Sequence, residues 1–82
     1  MENLRKLIDN CDNKIIEILK ERMEISKKIG DYKKQNNLPI YNQKREQEIM
    51  DNLKTQSSKL LTEETIENIY KEIFTASKKI QE

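Results

Sequence analysis

From Asn3 to Asn36 no proline interrupts the chain, and apolar side chains recur at alternating steps of four and three: Leu4, Ile8, Cys11, Ile15, Ile18, then Ile25, Ile29 and Tyr32. That spacing returns to one face of an α-helix every two turns. A helix of this length, at 1.5 Å per residue, is a rod of ~50 Å, whereas a compact chain of 82 residues measures only ~30 Å across. The rest of the chain cannot cover such a rod. The expected solution is a symmetric homodimer in which two long helices share one core. Composition alone points elsewhere, since charged residues (38%) outnumber hydrophobic ones (34%), a balance that leans toward disorder. The 20 Leu, Ile and Phe residues, however, fall into the helical period, and periodicity decides the matter.

The pattern stops at "QNNLPI", where Pro39 ends helical continuation. Asn42 is a good N-cap for a second segment carrying Ile49, Met50 and Leu53 on one side. Thr62 caps a third, with Glu63 and Glu64 in its first turn and Ile66, Ile69, Tyr70, Ile73 and Ile80 beyond. No strand signal or internal repeat occurs. The reading is all-α: one domain over residues 1–82, with helices long, short and medium at about 3–36, 42–55 and 62–81. Gly30, the only glycine, costs ~1 kcal/mol inside a helix, and tight helix packing is the expected reason for it.

Several classes of function are disfavoured. With no histidine and one cysteine, a zinc or other transition-metal site would have to be all carboxylate. Cys11 lies on the apolar stripe, where a buried, inert thiol is expected. The first residues are charged and no segment is long and apolar enough to span a membrane, so a cytoplasmic protein is expected. Net charge is +1, with both signs interleaved, and no nucleic-acid-binding surface is evident.

The stripe has one fault. Between Ile18 and Ile25 its next member is Arg22. A buried cation needs a partner: the guanidinium can snorkel to water, pair with Glu21 or Glu24, or meet a ligand. Lys33 follows 11 residues later, which returns it to within about 20° of the same direction, ~16 Å along the axis, so the two cations can hold a small anion between them. Arg5 is ~25 Å from Arg22 and rotated by roughly 100°, and it reaches that place only from the antiparallel helix of a second copy. In the second helix Glu46 aligns with Met50 and Leu53, beside Arg45; in the third, Tyr70, Phe74, Ser77 and Gln81 form one row.

These stretches, "LRKLID", "ILKERMEISKKIGDYKK", "LPIYNQKREQEIM" and "FTASKKIQ", together resemble the all-helical class of chorismate mutases over essentially the whole chain. The resemblance implies an intertwined homodimer of three-helix chains, without cofactor or metal, acting on the dianion chorismate in aromatic amino-acid biosynthesis. It implies further that Arg5 of the partner subunit and Arg22 bind carboxylates. Lys33 would bond the ether oxygen and a carboxylate, Arg45 and Glu46 would form a pair in which Glu46 holds the hydroxyl, Ser77 would sit near a carboxylate, and Gln81 would reach the ether oxygen. Asn42 stands where aspartate is common in that class, but the contact expected there is largely backbone. The chain ends one residue after Gln81, so fraying of that turn is an expectation to check, and no separate allosteric domain is expected.

Two other functions fit parts of the pattern: a lyase removing pyruvate from isochorismate on the same fold, and a non-catalytic helical dimer that senses an aromatic-pathway metabolite. A concerted rearrangement needs no base or nucleophile, which suits a site built from Arg, Lys, Glu and Gln.

Overall fold

A computed structural model describes residues 1–82 as three helices, α1 (Glu2–Gln35), α2 (Gln43–Lys54) and α3 (Glu63–Gln81), with no strand. The all-α reading, long then short then medium, is therefore borne out. At the end of α1, Asn37 adopts a left-handed backbone with φ of 55°, a conformation asparagine tolerates better than most side chains. The chain then turns through Pro39 into α2. Asn42 caps that helix, its Oδ1 accepting from the Arg45 backbone N–H at 3.1 Å. Thr62 does the same for α3, its Oγ1 accepting from the Thr65 N–H at 3.2 Å.

Both α1 and α2 lie against α3 and not against each other. The α2–α3 pair encloses a small core of Met50, Ile66 and Phe74, flanked by Ile49, Leu53 and Tyr70. Tyr70 meets Phe74 edge-on at 5.8 Å, and Lys54 pairs with Glu67 at 3.4 Å across the two helices. On α1 only Ser26 and Gly30 are buried. Met23, Ser26 and Gly30, which face α3, lie roughly a quarter turn round the axis from the apolar stripe. The stripe thus has no cover within the chain: Leu4 is 62%, Ile18 61% and Tyr32 61% exposed. Cys11 is exposed too, contrary to the burial expected of it, because the helix face that carries it meets nothing in a single copy. The molecule is 52 Å long and only 14 Å thick, a rod with a short helical pair laid against one end.

Candidate active site

Because α1 and α2 both rest on α3 without touching, a notch opens between them. It holds a cavity of about 270 Å³, near the ~300 Å³ lower end of small-molecule sites. One wall is Arg22, Ile25, Ile29 and Lys33 of α1; the other is Asn42, Arg45, Glu46 and Ile49; the floor is Phe74, Ser77, Lys78 and Gln81 of α3. Seven of the eight residues singled out in the sequence surround this one space. The exception is Arg5, exposed near the far end of α1 with Glu2 at 3.6 Å.

The row on α3 explains how the α1 cations are held. Arg22 Nη1 donates to Ser77 Oγ at 2.7 Å, and its guanidinium lies 5.9 Å and 6.0 Å from the Tyr70 and Phe74 rings, within cation–π range. Ser26 also donates to Ser77, at 3.2 Å. No carboxylate pairs with Arg22; neither Glu21 nor Glu24 is its partner. Of the readings open for this residue, the intramolecular ion pair is excluded, and the side chain is tethered to α3 rather than reaching freely into water.

Lys33 is anchored on two sides. Its Nζ donates to the Ile40 carbonyl at 2.7 Å and to Gln81 Oε1 at 2.8 Å. An ammonium carries three N–H bonds, so one remains for a ligand. Lysine can only donate, which fixes the orientation of the Gln81 amide: the oxygen faces Lys33 and the NH₂ group is left to donate elsewhere. Gln81 is buried and is the last residue of α3, and its bond to Lys33 opposes fraying of this turn. Gly30 makes this possible, since a Cβ at that position would meet Gln81 Cα at 2.8 Å.

Across the notch, Arg45 is largely exposed and 3.5 Å from Glu48. Glu46 Oε2 lies 3.3 Å from Lys78 Nζ. Three participants escaped the sequence reading. Ser26 was detectable, as it precedes Gly30 by one helical turn and the two small residues mark a close helix approach. The Ile40 carbonyl has no side-chain signature, and Lys78 looks no different in sequence from its neighbour Lys79.

Four cationic side chains and one carboxylate line the cavity, although the whole chain carries a net charge of only +1. Positive charge is therefore concentrated here, beside apolar walls that strengthen it. Fold and cleft define an all-α protein with a cation-lined site for a small anionic molecule.

The family described as chorismate mutase type II matches residues 4–82. The chorismate mutase of Methanocaldococcus jannaschii is 36% identical over 75 residues, covering 90% of this chain and 72% of that protein. The bifunctional chorismate mutase/prephenate dehydratase of Aquifex aeolicus is 36% identical over 80 residues, covering 93% of this chain, which spans only 22% of that relative's length. The crystal structure of chorismate mutase from Helicobacter pylori in complex with prephenate superposes with a TM-score of 0.88 at 42% identity, covering 98% of this chain and 87% of that one. The chain belongs to the chorismate mutase type II family.

Proposed function

We propose that the notch converts chorismate to prephenate, the ether C–O bond breaking as a C–C bond forms, in aromatic amino-acid biosynthesis. The observation that carries this reading is the pair Lys33 and Gln81, whose 2.8 Å bond leaves one ammonium N–H and the amide NH₂ as donors at the same cavity. Negative charge builds on the ether oxygen in the transition state, and donors already in place there stabilise it without reorganising. Arg22 and Arg5 of the partner subunit grip the two carboxylates, each fork offering paired N–H bonds, and hold the molecule in the compact form that brings the reacting carbons together, with Arg45 beside Glu46 at the same wall. Glu46 accepts from the hydroxyl, and Asn42 offers backbone contact at the start of α2. Even a 10⁶-fold acceleration needs ~8 kcal/mol, an amount several charge-assisted contacts can share.

The same reading makes the active enzyme a homodimer. A core of three buried apolar residues is small for 82 residues, and small domains are already marginal. The Ile and Leu residues of the stripe are 44–62% exposed, so each one that a second α1 covers contributes about 1–2 kcal/mol. An antiparallel partner rod also brings Arg5 of the partner subunit to the open side of the notch. No helix is long and apolar enough to cross a membrane. The free thiol of Cys11 suits a reducing compartment, and we place the enzyme in the cytoplasm.

The test is loss of chorismate absorbance with prephenate identified as product, and isochorismate offered in parallel. Prephenate formation with a two-chain mass by size exclusion is the expected result. Pyruvate release from isochorismate alone would make the chain a lyase; binding without turnover would make it a sensor.

A further inference from the structure

Lys78 is the one charged residue of the cleft that the reading above leaves without a task. Its Nζ is 3.3 Å from Glu46 Oε2 and 4.7 Å from the centre of the Tyr41 ring. Three separate elements thereby meet at one ammonium: the α1–α2 connection through Tyr41, α2 through Glu46, and α3 through Lys78 itself. The pair is only partly open to solvent, with side-chain exposures of 35% for Lys78 and 25% for Glu46, so it is less screened than a surface pair. Glu46 is also the only carboxylate among the lining residues. Left alone it would repel a doubly negative substrate, since like charges at close range disfavour one another strongly where water is thinned.

Resting on the proposed reaction, we infer that Lys78 is a positioning residue that acts through Glu46. It cancels the repulsion between Glu46 and the anionic substrate, and it fixes one carboxylate oxygen so that the other faces the substrate hydroxyl. The Tyr41 ring, 4.7 Å from the ammonium, gives it a second contact. The role is one of binding rather than bond-making, because Lys78 is paired with Glu46 and bonds neither Lys33 nor Gln81, whose partners are each other and the Ile40 carbonyl. It therefore shows in KM more than in kcat.

The experiment is a double-mutant cycle on the full chain, with kcat and KM for chorismate measured for the unaltered protein, Lys78→Met, Glu46→Gln and the double variant, and helicity checked for each. Methionine keeps the stem and removes the charge; glutamine keeps an acceptor and removes the charge. Lys78→Met is expected to raise KM about tenfold with kcat changed by less than about threefold, the scale of one lost charge-assisted contact. In the Glu46→Gln background the same change is expected to cost less than about twofold, since coupled residues are non-additive. Lys78→Arg, which keeps the cation, is expected to stay within about threefold of the unaltered KM. Equal losses in both backgrounds, or no loss in either, would overturn the inference while leaving the reaction in place. If Lys78→Met lost its helicity, Lys78→Gln would take its place in the cycle. No turnover by the unaltered chain would overturn the reaction itself, and this role with it.

Discussion

In the proposed reaction the central donor is one ammonium group. Lys33 spends two of its donors on Ile40 and Gln81 and keeps one, so its position is set before any ligand arrives. Lys33→Ala removes that donor and also frees Gln81; Arg22→Ala removes the grip that Ser77 and two aromatic rings hold ready. Each is expected to lower kcat/KM by about 10²–10³-fold, the usual loss for one preorganised donor, with helicity and size-exclusion mass unchanged. Wild-type rates in either variant would remove that residue from the mechanism. In the sequence Arg22 stood out because it broke an apolar period, and Lys33 because it shared the same helix direction. Their anchors were harder to see, since Ser77 and Ile40 approach only once three elements are packed.

At the level of helices, the spacing between α1 and α3 decides whether Lys33 and Gln81 can meet. Gly30 is where the two come closest, 2.8 Å from an added Cβ to the Gln81 backbone. Gly30→Ala gains up to ~1 kcal/mol of helix propensity but forces the end of α3 outward, an overpacking cost of about 1–3 kcal/mol. A lower Tm and a fall in kcat are expected together; a more stable, fully active variant would show that the approach is not needed. For α2, Asn42→Ala should cost about 0.5–2 kcal/mol of stability by losing the cap, whereas Asn42→Asp should be nearly neutral. Thermal melts of the two compare them directly. Helix type and order were readable because the apolar period and the cap residues are local signals. The notch was not, for it arises from α1 and α2 both choosing α3, a relation among helices that no local pattern encodes.

For the molecule as a whole, the stripe from Leu4 to Tyr32 is the feature that sequence and structure state together, as a long apolar face with nothing on it. Charge placed in its middle, as in Ile15→Glu, is expected to shift the size-exclusion mass from two chains to one and abolish turnover; an active single chain would refute the shared site. A sharper check mixes Arg5→Ala with Arg22→Ala after joint unfolding and refolding. Each variant alone is expected to be nearly inactive, but in the proposed dimer a mixed pair holds one site with both arginines intact, so random pairing should restore about a quarter of the full activity. Recovery of none would place Arg5 outside the site. The bare face of α1 carries one more implication, for the rate law. For the proposed dimer, velocity is expected to rise with the square of protein concentration where chains are scarce enough to separate, which would make the catalyst a gauge of its own abundance.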